Sequence, residues 1–193
     1  MKETVLFFKK FLQYGTKIAS FFPSSRWLAR RMVSNIEWEK AGIVVELGAG
    51  TGPITEVLVK SAPVNCKLII FERDTDFLQI LQEKFKIYEN VELIGGDACG
   101  FSEILSAKGI KKVDYIISGL PTPSLSKEDQ ERLFAGVSSL LNLKGTFNQI
   151  TEMPLVYRGL YKRYFMNVRF VFEPRNFPPA GVYICNHARS SVG

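Results

Sequence analysis

Histidine is almost missing: His187 is the only one in 193 residues, so a histidine-based triad or a multi-histidine metal centre lacks its parts. Its place near the C-terminus reads as a surface position at the end of a last strand. Cysteine is scarce too. Cys66, Cys99 and Cys185 are odd in number and have no CxxC spacing, which excludes a disulfide framework and a zinc ribbon; no metal site is expected. No apolar run approaches the ~20 residues that span a bilayer. The basic N-terminus has neither the long apolar core nor the small-residue cleavage site of a secretory signal, so the cytoplasm is the expected compartment. Repeats and low-complexity stretches are absent. What remains, 46% hydrophobic and 23% charged residues, suits one globular domain, expected over residues 1–193.

The net charge of +6 is unevenly spread. Residues 1–31 carry seven Lys or Arg against Glu3 alone, and residues 158–189 carry six against Glu173 alone; the other 12 basic and 17 acidic side chains leave the remainder acidic. Residues 5–22 have a helical period, with Phe8, Phe11, Leu12, Ile18 and Phe22 on one face and Lys9, Lys10, Gln13 and Lys17 on the other; Leu6 falls on the polar side. Pro23 ends or kinks this helix, and "PSSRWLARRMV" opens another with Ser24 or Ser25 as cap.

Strand and helix then alternate. Strands are predicted at 43–47, 67–71, 91–94, 113–118 and 146–151, with helices at 53–61, 74–85 and from about Ser126, where Ser126-x-x-Asp129 forms a capping box and "NLKG" (142–145) ends the helix. Two further strands, "VRFVFE" (168–173) and "GVYIC" (181–185), are joined by a connector too short and proline-rich for a crossover helix. They must pair antiparallel. The prediction is a three-layer α/β fold with N-terminal helices over residues 1–36 and a core over 43–187, its seven-stranded, mostly parallel sheet ending in an antiparallel hairpin.

Between the first strand and helix lies "ELGAGTG" (46–52). The spacing is not GxGxxG, since Pro53 follows the third glycine, and a nicotinamide dinucleotide leaves Glu46 unexplained. Gly48 and Gly50 let the backbone approach a ligand, while a carboxylate at Glu46 suits a cationic amino-acid group better than a diphosphate. Glu72 ends the second strand, where it can accept ribose hydroxyls, and Asp97 in "GGDA" is placed to meet an adenine amino group. With the terminal hairpin, "ELGAGTG", "FERD" and "GDA" resemble the AdoMet-binding motifs of Rossmann-like class I methyltransferases. The resemblance implies S-adenosyl-L-methionine (AdoMet) as cofactor and adds Ser25, Ala49, Arg73, Ala98 and Ser118 to the cofactor-binding set.

The fourth strand ends in "SGLPTPSL" (118–125). Methyltransferases of base amino groups resemble one another here through an Asn or Asp, a Leu-Pro or Pro-Pro, and an aromatic. In this chain Ser118 replaces the first, and Thr122 stands where an aromatic would stack on a flipped base. A closer resemblance, over about residues 8–185, is to bacterial phospholipid N-methyltransferases, through "FFPSSRWLARRMV", "ELGAGTG", "SGLP" and "NFPPAGVY". It implies successive methylation of phosphatidylethanolamine toward phosphatidylcholine by an enzyme peripheral to an anionic membrane. The amphipathic N-terminal helix agrees with such a surface, and equally with a lid packed over the cofactor.

Tyr157, Tyr161, Tyr164 and Phe165 share a helical face beside Arg158, Lys162 and Arg163. Such a stripe can surround a methylated ammonium by cation–π attraction, or pack on a core. Ser118, Tyr157 and Tyr164 are the catalytic candidates, with a tyrosine or bulk water accepting the amine's proton. Nucleic acid is the less favoured partner. The rival functions are RNA adenine N6 methylation and a non-catalytic AdoMet-binding membrane protein.

Overall fold

The computed structural model describes residues 25–153 and 156–189. The amphipathic helix expected over residues 5–22 lies outside them. Of the two serines offered as cap for the second helix, Ser25 takes the role. Its hydroxyl accepts from the Leu28 amide at 3.2 Å, and α1 runs over Arg26–Val33. Leu28, Ala29, Met32 and Val33 form its buried face, leaving Arg26 and Arg30 exposed.

The remaining elements are β1 (Ile43–Leu47), α2 (Pro53–Ser61), β2 (Lys67–Glu72), α3 (Thr75–Phe85), β3 (Val91–Gly95), α4 (Phe101–Ala107), β4 (Val113–Ser118), α5 (Lys127–Leu140), β5 (Leu141–Thr151), α6 (Arg158–Tyr164), β6 (Phe165–Glu173) and β7 (Ala180–Ala188). All seven strands form one sheet in the order β3-β2-β1-β4-β5-β7-β6. It is parallel except at β7, which pairs antiparallel with β5 and β6. This is the expected Rossmann-like architecture. Side chains alternate along each strand, so Val44, Leu68, Ile70 and Ile117 pack against α1, α2 and α3. Val45, Leu47, Ile69, Phe71 and Ile116 pack against α4, α5 and α6 on the opposite face.

Three features depart from the sequence reading. Helix α4 was not anticipated, although Phe101 and Leu105, one turn apart, are both buried in the core. Residues 142–145 do not end a helix: α5 stops at Leu140, and β5 begins at Leu141. The early start is held by Asn142 Nδ2 donating to Asp114 Oδ1 at 2.6 Å, beside an irregularity in the β4–β5 register. Phe165 is not on the helical face of Tyr157, Tyr161 and Tyr164, because α6 closes after seven residues and Phe165 opens β6.

The cap of α5 is as expected, with the Asp129 amide donating to Ser126 Oγ at 3.0 Å. All three cysteines are free and buried, and His187 is exposed near the end of β7. No helix among the described residues is long and apolar enough to cross a membrane.

Candidate active site

The parallel strands β1, β2, β3, β4 and β5 end at one edge of the sheet, where Leu47, Glu72, Gly95, Ser118 and Thr151 are their last residues. At Gly48 the backbone turns with φ +78°, and a Cβ there would lie 2.9 Å from Leu120 Cδ2. Only glycine combines that conformation with that approach. The loop after β4 presses on it: the Gly119 amide donates to Leu47 O at 2.9 Å, and a Cβ on Gly119 would stand 2.7 Å from Gly48 O. At Gly50 nothing lies within 4 Å of the corresponding point, so the loop is open on that side.

Glu72 fastens the loop from the neighbouring strand. Its Oε2 accepts from the Gly50 amide at 2.7 Å and its Oε1 from the Asp74 amide at 2.9 Å. A carboxylate offers about four acceptor sites, so each oxygen retains capacity for a hydroxyl donor. Ala49 is buried in the same turn, its amide donating to Phe71 O at 3.2 Å.

Glu46 is the most unusual group. It is fully buried on β1, and Thr55 on α2 donates to its Oε2 at 2.7 Å. Its Oε1 is buried with no hydrogen-bond partner. Burial, reinforced by the nearby charge of Glu72 and opposed by the Thr55 bond, pushes the carboxyl up to about 8. An unpaired buried acceptor is costly, and a cationic donor completes it. The orphaned oxygen, the open glycine turn and the spare capacity of Glu72 together fit AdoMet: an ammonium for Glu46 and a diol for Glu72.

The other expected residues divide. Ser118 is fully buried at the end of β4, its hydroxyl accepting from the Leu120 amide at 3.3 Å. Asp97 follows β3 at the same edge and is exposed; its Oδ1 accepts from the Cys99 amide at 3.0 Å, and Arg132 lies 3.8 Å from its Oδ2. Ala98 is buried in the short turn that Asp97 caps, and Arg73 is exposed. Asp97 and Cys99 also gather with Asp129, one potential ligand atom from each within 4.8 Å of the others; Arg132 supplies a positive charge at that spot. Ser25 caps α1, its amide donating to Asn176 Oδ1 at 3.1 Å.

The tyrosines lie toward α5. Tyr164 stacks on Phe134 with centroids 4.0 Å apart and planes 18° from parallel. Tyr157 precedes α6, its hydroxyl 3.7 Å from Met153 Sδ. Among the described residues neither hydroxyl bonds to Ser118. Thr122 is not placed to face a base: it is fully buried, and its hydroxyl donates to Gln149 Oε1 at 2.7 Å. Gln149 Nε2 donates to Leu120 O at 2.8 Å, and Tyr161 is fully buried. Thr55 and Gln149 thus support the site, although the sequence reading gave neither of them a role. The available signal was a polar residue amid buried neighbours: Thr55 on the apolar face of α2, and Gln149 inside a strand.

A family model described as Ribosomal RNA adenine dimethylase matches residues 13–140. The chain is similar to a protein of Singulisphaera acidiphila named ornithine lipid N-methyltransferase, 51% identical over 99% of this chain and 100% of that one. It is also 33% identical to ribosomal RNA small subunit methyltransferase A of Thermotoga maritima, over 56% of this chain and 37% of that protein. Among solved structures it resembles the glycopeptide N-methyltransferase MtfA complexed with S-adenosyl-L-methionine, with TM-score 0.54 and 18% identity over 88% of this chain and 68% of that chain. The chain belongs to the ribosomal RNA adenine dimethylase family and is a class I, AdoMet-dependent N-methyltransferase.

Proposed function

We propose that this enzyme methylates the headgroup amine of a membrane lipid, taking an ornithine lipid or phosphatidylethanolamine as acceptor, and that it works peripherally at an anionic membrane surface on the cytoplasmic side. The observation that carries the reading is the 51% identity, end to end, with the ornithine lipid N-methyltransferase. Ornithine and ethanolamine headgroups share a primary amine, a nucleophile for the sulfonium methyl once it is deprotonated. The basic ends of the chain add electrostatic support.

In this reading Glu46 receives the cofactor's ammonium, Glu72 its ribose, and Asp97 the adenine edge, with Arg73 and Ala98 flanking; Ser25 contributes from the start of α1. The bound AdoMet supplies an activated sulfonium methyl, so the protein's task is to align a neutral amine with it. Ser118 and the backbone of Gly119 and Leu120 line the approach of that amine. Tyr157 follows the end of β5 and offers a ring to the methylated ammonium. Tyr164, engaged with Phe134, supports it from the layer behind. Protonated amine is unreactive, so transfer requires loss of a proton, to Tyr157 or to water.

The family match favours a second reading, methylation of an RNA adenine. The buried Thr122 argues against it, since no aromatic ring stands there for an extruded base. Labelled AdoMet, supplied to the full chain with vesicles containing ornithine lipid, vesicles containing phosphatidylethanolamine, or ribosomal RNA, decides between them. Label in either lipid supports the proposal; label in RNA alone overturns it.

A further inference from the structure

The turn between β6 and β7 reaches the edge of the sheet that carries the glycine loop, because Gly181 pairs with Thr151 at the end of β5 and Ala180 pairs with Glu173. The start of α1 meets it there. The Ser25 amide bonds to Asn176, and Glu173, buried at the base of the turn, accepts from Arg31 Nη2 at 3.2 Å and from Arg175 Nε and Nη2 at 2.7 and 2.9 Å. Arg175 is thereby held with its guanidinium 4.1 Å from the centroid of the Trp27 ring. Arg26 and Arg30 approach the same ring at 4.9 and 5.6 Å. Both are exposed, and neither has a carboxylate partner among the described residues. Phe177, at the tip of the turn between Asn176 and two prolines, is 88% exposed.

We propose that this rim, with Arg26, Arg30 and Arg175 around Trp27 and Phe177 beyond them, is a docking surface for an anionic lipid bilayer. It rests on the reading of the enzyme as a lipid methyltransferase and places a membrane contact beside the mouth of the site. Charge complementarity identifies the occupant: among the described residues two guanidiniums lack counter-charges and a third shares its carboxylate with Arg31, a surplus that anionic headgroups meet. The apolar component selects bilayer over RNA. A tryptophan flanked by arginines suits the headgroup level, and an unshielded phenylalanine on a protruding turn suits the acyl boundary just below. The Glu173 clamp gives the surface a fixed shape, so docking presents the sheet edge, and the site on it, to the headgroups.

The test is sedimentation of the full chain with vesicles of phosphatidylcholine containing phosphatidylglycerol, which carry no methylatable amine. A guanidinium at an anionic surface contributes about fivefold in partition, from roughly 1 kcal/mol each. The variant Arg26→Gln/Arg30→Gln is therefore expected to partition about 25-fold more weakly than wild type. Phe177→Ser should weaken partition to a similar extent at high salt as at low salt, since its contribution is apolar. All these side chains are exposed, and AdoMet binding by each variant, measured by calorimetry, should match wild type. Partition indistinguishable from wild type in both variants overturns the proposal. So does loss of affinity for an RNA oligonucleotide with vesicle binding intact. A wild-type enzyme that binds these vesicles through this rim but methylates no lipid amine overturns the proposed function and leaves the docking surface standing.

Discussion

Replacing Glu46 by glutamine tests the link between burial and cofactor binding. With the carboxyl pushed up to about 8, about nine-tenths of the cofactor-free enzyme is protonated there at pH 7. Receiving an ammonium requires the ionised form. Binding of AdoMet at pH 7 should therefore release about 0.9 proton, and apparent affinity should rise almost tenfold from pH 6 to pH 7. The same group shapes stability without cofactor. In the unfolded chain it titrates near the ordinary 4.5 and in the folded chain near 8, so its stabilising contribution is complete below 4.5 and is lost as pH rises to about 8. The slope is about 1.4 kcal/mol per pH unit. Glu46→Gln keeps the shape and an acceptor for Thr55 but cannot ionise. It should bind AdoMet more weakly, release no proton, and gain about 1.4 kcal/mol relative to wild type between pH 6 and pH 7 in urea melts of the cofactor-free protein. Calorimetry in buffers of different ionisation enthalpy measures the proton release. Proton-neutral binding at pH 7, with the variant binding as tightly as wild type, refutes the assignment of Glu46 to the cation.

Three further outcomes follow from the same geometry. Gly48→Ala puts a side chain at φ +78° and against Leu120; it should cost about 1–2 kcal/mol in thermal or urea unfolding and weaken AdoMet binding. Thr122→Val leaves Gln149 Oε1 without its buried donor, which should cost about 1–3 kcal/mol and lower methyl transfer, as Leu120 O also loses the Thr122 hydroxyl. The hydrogen bonds of Arg175 hold the Glu173 carboxyl down at about 2. Its contribution is present above the ordinary 4.5 and lost as pH falls toward 2, so Glu173→Gln should be destabilised at pH 7, by about 2 kcal/mol, and converge on wild type in melts near pH 2.

The core of the fold was legible because it depends on short-range signals. The apolar run of β1, the glycines that follow it, and Pro53 at the start of α2 each declare themselves within a few residues, and the proline-rich connector admitted only an antiparallel hairpin. Boundaries failed where a distant residue decided them. "NLKG" has the composition of a helix stop, yet Asn142 is drawn into β5 by Asp114 on the neighbouring strand. The periodicity that carried Phe165 onto the face of Tyr157 took no account of the sheet, where Phe165 pairs with Ala188.

The same division runs through the site. Glu46 and Glu72 could be singled out because one stands a residue before the end of β1 and the other ends β2, both beside the glycine turn, a placement the βα rhythm fixes. What the sequence withheld is their electrostatic state. That Glu46 keeps one oxygen unpaired while Glu72 is bonded by two backbone amides follows from Thr55 and Gly50 arriving from other elements. The difference has a chemical consequence. Glu72, satisfied by the loop it fastens, holds the turn in shape before any ligand arrives; Glu46 is left incomplete and raised toward neutral pH, so the free energy stored in its burial is released when a cation enters. In the proposed reading one carboxylate preorganises the site and the other makes it selective for positive charge, a division of labour set by the donors that Thr55, Gly50 and Asp74 supply rather than by the glutamates themselves.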